Sequence, residues 1–177
     1  MRPSSAPALR PCPDNSFDRV VADSVIEHTQ SQPEALREAR RVMSDCGRLF
    51  LSTPNRLSIG PDPHTGLVAG GMLPQSWTAA YVRCLGGIPP KRRLLSVVSI
   101  KRLFQQCGFR RVQVFLPDIP KEQQALFSAP ARGIIDLYHA AKRMPLSRQL
   151  LYLFGPMLYA VAEPIPAMSL NQETRSA

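Results

Sequence analysis

Two short apolar runs on either side of a helical segment constrain this fold more than any other feature of the sequence. Residues 19–22 contain two valines in succession, which is typical of a short strand buried on both faces of a parallel sheet. Pro33 fits the first turn of a helix that continues with apolar residues at helical spacing and ends at Gly47. Residues 48–52 predict a second strand, which Pro54 ends because proline cannot continue a central ladder. Strand, helix and strand form a crossover unit, so the two strands are predicted to be parallel.

The middle of the chain contains a long insert followed by a helix and a strand. Residues 58–90 are rich in glycine and proline, too long for a simple connector, and include one predicted helix at residues 77–85. Ser99 is placed to cap the next helix, and Gly108 to end it. The alternating residues 111–116 then predict a third strand.

The last third of the chain is predicted to hold two helices and one further element. Residues 132–143 and 147–154 show helical patterns. The apolar run 157–162 fits either a strand or an apolar helix lying on a membrane. Gly155 and Pro156 break the chain before it, which favours the strand.

The composition indicates one domain in a reducing compartment. The chain has 177 residues, of which 44% are hydrophobic and 20% charged, within the range of globular proteins. The cysteines are scattered and never form CxxC, so neither a zinc site nor a disulfide framework is predicted. The sequence offers neither a signal peptide nor the roughly 20 apolar residues of a membrane span. We therefore expect a cytoplasmic protein.

The net charge of +9 predicts an abundant basic surface, but charge alone does not identify the kind of partner that it binds. Nucleic-acid binders usually pair such charge with exposed aromatic residues or a reading helix. Here the basic residues fall on a short helix, at Arg37, Arg40 and Arg41, and in a loop at residues 91–93. We interpret both groups as solvated surface and expect no nucleic-acid partner, while peripheral contact with an anionic membrane stays open.

Three blocks of the sequence resemble blocks of a known protein family and occur in the same order along the chain. They are PDNSFDRVVADSVIEH, PEALREARRVMSDCGRLFLSTPN and SIKRLFQQCGFRRVQVF. They resemble the later half of class I S-adenosylmethionine-dependent methyltransferases of the ubiquinone/menaquinone-biosynthesis-like, type 11 group. The resemblance implies a partial Rossmann-like α/β sheet of strands four to seven, mostly parallel with one antiparallel strand and flanked by helices. It divides the chain into a flexible or truncated segment, a partial domain and a disordered tail, at residues 1–16, 17–163 and 164–177.

The sequence departs from that family where the cofactor loop is expected. Such domains begin with a strand that leads into a GxGxG-like turn, followed by a carboxylate that binds the ribose. The residues before Phe17 offer neither, and the acid expected near the adenine falls at Ser4 or Ser5. A truncated or late-started gene, a product that has abandoned catalysis, and a second chain that supplies the missing half would each explain this. S-adenosylmethionine is the implied cofactor, and we expect its binding to this chain to be weak.

Ala22, Asp23 and Ser24 follow the first predicted strand directly. Open α/β sheets bind ligands at the carboxyl ends of their strands. The resemblance places these residues beside the methionine end of the cofactor. The alternative is a plain strand-to-helix turn in which Asp23 or Ser24 only caps the helix.

Glu27 and His28 are an adjacent carboxylate and imidazole. By resemblance they form the family's EH signature and could orient an acceptor hydroxyl, act as a base or bind a metal. Metal-dependent relatives carry a further carboxylate where this chain has Ser24, so no metal site is predicted. The alternative is a buried, hydrogen-bonded pair that fixes the loop.

Two further residues are candidates on the acceptor side. Asn55 ends the second strand and is expected to contact the substrate, and His64, in the insert, is a candidate base. An ordinary loop histidine is the alternative for His64. The variable insert is expected to help form the acceptor pocket.

Two hypotheses of different classes follow. The first is methyl transfer to a small-molecule, glycan or lipid-linked acceptor, inactive in this chain alone because the cofactor loop is missing. The second is a non-catalytic module or partner subunit that docks on a protein or an anionic membrane. In both, the first strand lacks its usual neighbour, so self-association through an exposed sheet edge is expected.

Overall fold

The computed structural model describes residues 12–60, 67, 69–89 and 91–166. Within them the chain forms an α/β structure with one sheet flanked by helices. A 3-10 turn, Ile26–His28, follows the first strand. The other elements in chain order are β1 Phe17–Asp23, α1 Gln32–Val42, β2 Met43–Pro54, α2 Gln75–Cys84, α3 Val97–Gln106, β3 Phe109–Phe115, α4 Lys121–Gln124, α5 Ala129–Arg143, α6 Pro145–Phe154 and β4 Met157–Pro164.

The sheet has the strand order β1-β2-β4-β3. β1 and β2 are parallel, with Arg19 opposite Arg48 and Asp23 opposite Ser52, which confirms the predicted crossover unit. β4 runs antiparallel to both β2 and β3. The final apolar run is therefore a strand and not a membrane-surface helix, and the predicted sheet with one antiparallel strand is confirmed.

The boundary between α1 and β2 differs from the prediction. The helix ends at Val42 and not at Gly47, and Met43 begins the strand with extended backbone angles. Pairing explains the early stop, because Phe17 of β1 lies opposite Met43 and draws it into the sheet. At its other end β2 continues past Ser52 to Pro54, where it pairs with the start of β4.

The start of α3 also differs from the prediction. Ser96, not Ser99, is the N-terminal cap, and its hydroxyl accepts a hydrogen bond from the Ser99 backbone N–H at 3.3 Å. Both serines fit the pattern of a cap, and the structure uses the earlier one. The end of the helix agrees with the sequence, because Gly108 follows the C-terminal cap with a φ of +85°.

The hydrophobic core lies between the sheet and the helices α1 and α3. Phe104 of α3 and Phe109 of β3 are fully buried in it, with ring centroids 5.3 Å apart. β1 contributes little, and its predicted burial on both faces is wrong: Val21 is 67% exposed. β1 is exposed because it is a terminal strand that pairs with β2 alone in the described sheet.

The insert 58–90 contains α2, which matches the predicted helix to within two residues at its start. His64 lies outside the described residues, as do the first 11 residues and the tail after Pro166. Among the described residues, no helix combines the length and the apolar character needed to cross a membrane.

Candidate functional site

The carboxyl ends of β1 and β2 lie side by side and form a hydrogen-bonded cluster. The Ser52 hydroxyl donates to the Asp23 carboxylate. The Ser24 backbone N–H lies 3.1 Å from both the carbonyl oxygen and the hydroxyl oxygen of Ser52. Ser52 is fully buried, so the buried end of β2 holds the exposed end of β1 in place.

Ser24 adopts a left-handed backbone conformation, with a φ of +50°. Such angles are uncommon for residues other than glycine, and they concentrate at sites of function. The conformation turns the chain sharply out of the sheet. Ser24 and Asp23 keep exposed side chains at the rim, and Ala22 is half-buried.

The structure does not support the capping alternative for these residues. Val25 occupies the cap position of the 3-10 turn, and no side chain bonds to that end of the turn. Asp23 instead accepts from Ser52 across the two strands. The three residues predicted to border a cofactor therefore sit at the strand end without a capping role.

Glu27 and His28 follow on the 3-10 turn, with different exposures. Glu27 is only 2% exposed, and the Thr53 hydroxyl lies 3.4 Å from its Oε2, the distance of a weak hydrogen bond. His28 is exposed. Both residues line a cleft of about 320 Å³, which we call the acid–imidazole cleft, together with Lys91. A buried carboxylate beside an accessible imidazole can orient a hydroxyl or amine and accept its proton.

Three of the lining residues, 91–93, belong to a segment, residues 91–95, which we call the basic strap. The Arg93 backbone N–H donates to the carbonyl oxygen of Glu27 at 2.8 Å. The Gln32 side chain bridges the two segments, donating to the carbonyl oxygen of Arg93 at 2.7 Å and to that of Ile26 at 3.3 Å. The Arg56 backbone N–H donates to the carbonyl oxygen of Leu95 at 3.0 Å. The strap is thereby fixed to the turn at one end and to the exit of β2 at the other.

A second cleft, of about 620 Å³, is also lined by residues of the strap. We call it the arginine cleft, because Arg56, Arg92 and Arg93 line it beside apolar residues of the insert. The two clefts share lining residues from the strap and from α2. The interpretation of residues 91–93 as plain solvated surface is therefore wrong for Arg92, which is half-buried and lines both clefts.

Asn55 does not line either cleft. Its side chain is 2% exposed, and its Nδ2 donates to the carbonyl oxygens of Leu153 and Gly155, at 2.9 Å each. Its Oδ1 accepts from the Leu57 backbone N–H at 3.1 Å. These bonds fasten the end of β2 to the junction between α6 and β4, so the geometry gives Asn55 a structural task.

No group of three or more His, Cys, Asp or Glu side chains within the described parts of the chain is arranged to hold a metal ion. The groups with shifted pKa values lie away from the clefts. Burial raises the pKa of Tyr138 on α5, with a smaller contribution from Asp118. Burial likewise raises the pKa of the Cys107 thiol at the end of α3.

Sequence reasoning missed Ser52, Thr53 and Gln32 as parts of this site. The first two sit in the strand end that precedes Asn55, so their position at the carboxyl end of a parallel strand was a usable signal. Gln32 gave no such signal, because its contact with Arg93 joins residues 61 positions apart.

Comparison with known proteins finds a family model and curated relatives that each match part of the chain. A family model for a methyltransferase domain matches residues 1–51. A probable S-adenosylmethionine-dependent methyltransferase of Mycobacterium tuberculosis is 46% identical over 55 residues, which make up 31% of this chain and 20% of that protein. A similar protein of Mycolicibacterium smegmatis is 42% identical over 57 residues, 32% of this chain and 22% of that protein. The matched segment thus spans about a fifth of these relatives.

Solved structures with a similar fold extend the likeness over most of the chain. A methyltransferase of Mesorhizobium loti has a TM-score of 0.51 at 14% identity, covering 85% of this chain and 63% of that one. One of Thermotoga maritima has a TM-score of 0.50 at 16% identity, covering 87% and 59%. At this identity the likeness concerns the fold alone.

Proposed function

We propose that this chain serves methyl transfer from S-adenosylmethionine to a small-molecule, glycan or lipid-linked acceptor. Two findings support the proposal: a family model for a methyltransferase domain matches residues 1–51, and the described chain is similar in fold to a solved methyltransferase. The cluster at the ends of β1 and β2 would border the cofactor, and the acid–imidazole cleft would receive the acceptor. Binding of the cofactor by this chain alone would be weak, because its sequence shows no GxGxG turn.

The observation that carries this proposal is the Asp23–Ser24–Ser52 cluster. It lies where two adjacent parallel strands end, which is where open α/β sheets bind ligands. Ser24, whose backbone is in the left-handed conformation, is held there by two hydrogen bonds from its N–H to the fully buried Ser52. Glu27 and His28 follow within one turn of chain, so donor and acceptor sites would adjoin.

Methyl transfer makes modest demands on the protein. S-adenosylmethionine, when bound, supplies a methyl group that is already activated for transfer. What remains for the residues is alignment of the acceptor and removal of its proton where required. Thr53 holds the Glu27 carboxylate in the cleft wall, and exposed His28 can pass a proton to solvent.

The proposal can be tested by calorimetric titration with S-adenosylmethionine. For this chain alone we expect a Kd weaker than about 1 mM, equivalent to a binding free energy weaker than about −4.1 kcal/mol. Co-expression with a half-domain that carries the preceding strands and a GxGxG turn should strengthen binding. In that complex Asp23→Asn should weaken it at least about tenfold, by removing one charged acceptor.

Asp18→Asn is the matched control. Asp18 lies at the opposite end of β1 and also accepts from a serine of β2, with the Ser44 hydroxyl at 2.7 Å. Binding should be unchanged in this variant. Equal weakening of cofactor binding by both substitutions would show that Asp23 has no specific part in the site. Micromolar affinity of the chain alone would contradict the expected weak binding.

A second candidate function, as a docking subunit, draws support from the exposed edge. β1 pairs with β2 alone among the described strands, and Phe17 and Val21 on it are exposed. An uncovered apolar edge strand invites pairing with another chain. The two candidates are compatible if the partner is the other part of the same sheet.

A further inference from the structure

We propose that the acceptor carries an oxyanion, a phosphate ester or a carboxylate, and that Arg92 and Arg93 of the basic strap bind it. This inference rests on the proposed function and names the acceptor's chemistry. Both arginines line the acid–imidazole cleft as well as the arginine cleft. An anion bound there would touch the two compartments at once.

The charge of the arginine cleft favours an anion over a neutral or cationic ligand. Its described lining contains Arg56, Arg92 and Arg93 and no acidic residue. The guanidinium group presents a planar fork of N–H donors that matches two oxygens of a phosphate or carboxylate. Lys91 adds a fourth cation on the side of the acid–imidazole cleft.

The remaining lining indicates what the anion is attached to. Met72, Leu73 and Leu94 give the arginine cleft an apolar wall beside its cationic one. Its volume of about 620 Å³ is within the range of pockets that hold small organic ligands. The cleft therefore fits an amphipathic acceptor whose apolar part rests on the insert and whose anionic group meets the strap.

The strap also couples the anion to the reacting groups. The Arg93 backbone is bonded to the Glu27 carbonyl oxygen and, through Gln32, to the 3-10 turn. Binding at the Arg93 side chain thus fixes the acceptor relative to the Glu27 carboxylate and the His28 ring. Positioning of the acceptor is a contribution that a protein can make to such a transfer.

NMR titration of the full chain tests the proposal with probes that differ in one group. The probes are phenyl phosphate, benzoate and benzyl alcohol, and the amide signals of Gly70 and Gly71 in the arginine cleft report binding. We expect both anions to bind saturably and the neutral alcohol not to bind. The tighter of the two anions identifies the group as phosphate or carboxylate.

Arg93→Gln should weaken the binding of the preferred anion at least about tenfold, because it removes one charge-assisted contact. Arg102→Gln, exposed on α3 away from both clefts, makes the same change in net charge and should leave binding unchanged. Arg56→Gln provides a second test if Arg93→Gln fails to fold. Equal binding of benzyl alcohol, or equal weakening by Arg93→Gln and Arg102→Gln, would overturn the proposal.

The outcomes separate this inference from the function on which it rests. In one outcome, anion binding depends on Arg93, but the complex with the co-expressed half-domain does not bind S-adenosylmethionine. This result would contradict methyl transfer and would still support the anion site. Cofactor binding without anion binding would contradict the acceptor chemistry alone.

Discussion

Replacement of Asn55 by alanine is expected to destabilise the protein substantially while leaving the clefts intact. The side chain makes three hydrogen bonds in a buried place, two from Nδ2 at 2.9 Å and one to Oδ1 at 3.1 Å. At a net value of about 1 kcal/mol each, their loss costs about 3 kcal/mol. For a domain of this size that corresponds to a fall in Tm of about 6–12 °C.

Asn55→Asp should be at least as damaging, although it changes the volume little. A carboxylate oxygen would replace the amide nitrogen and face the carbonyl oxygens of Leu153 and Gly155 without a proton to share. The control is Gln105→Ala, which removes an exposed amide from α3 and should change stability by less than about 0.5 kcal/mol.

Thermal and denaturant unfolding, followed by circular dichroism, measure these differences. A loss below about 1 kcal/mol for Asn55→Ala would show that the three bonds are replaced by water or are absent. The structural task assigned to Asn55 would then be wrong, and the contact with substrate that its place in the sequence suggests would again be the better explanation.

Three further predictions concern catalysis, assembly and pH. Glu27→Ala combined with His28→Ala should lower methyl transfer at least about a hundredfold in an enzyme complemented with the preceding half-domain; unchanged turnover with normal folding would leave the pair a structural role. The chain alone should self-associate through β1, and Val21→Lys should shift it towards monomer in light scattering; a dilution-resistant wild-type monomer would contradict this. Burial raises the pKa of the Tyr138 hydroxyl, so its contribution to the free energy of unfolding is complete below the ordinary tyrosine pKa of about 10 and is lost as pH rises through the higher folded value. In Tyr138→Phe, this fall in the free energy of unfolding at alkaline pH should be absent.

The sequence predicted the sheet well because its signals were local and mutually consistent. The apolar runs, Pro33 and the glycine–proline break before β4 each marked an element that the structure contains. The boundaries failed where pairing between strands decided them. Met43 has a place in the helical pattern, yet pairing with Phe17 draws it into β2. Likewise β1 reads as a buried strand, but its burial depends on a neighbour that the described chain does not supply.

The site was predicted in part for a similar reason. The resemblance located Asp23 and Ser24 at a strand end, and the structure places them at the end of β1, with Glu27 and His28 following on the 3-10 turn. The basic strap could not be found this way, because contacts over more than 60 residues bring Arg93 to Glu27 and Gln32. Asn55 follows the end of a strand, a position that suits a ligand contact and a structural clamp equally well, and the structure shows its side chain bonded to the carbonyl oxygens of Leu153 and Gly155.

Chemical-shift mapping with S-adenosylhomocysteine, the demethylated product of the cofactor, resolves even weak binding residue by residue and so shows where on the chain the cofactor binds. We expect the amide signals of residues 22–24, Glu27 and Ser52 to shift together on titration of the full chain, and those of Gly70 and Gly71 to stay unchanged. Shifts confined to the arginine cleft, or none at saturating ligand, would contradict the placement of the cofactor at the ends of β1 and β2.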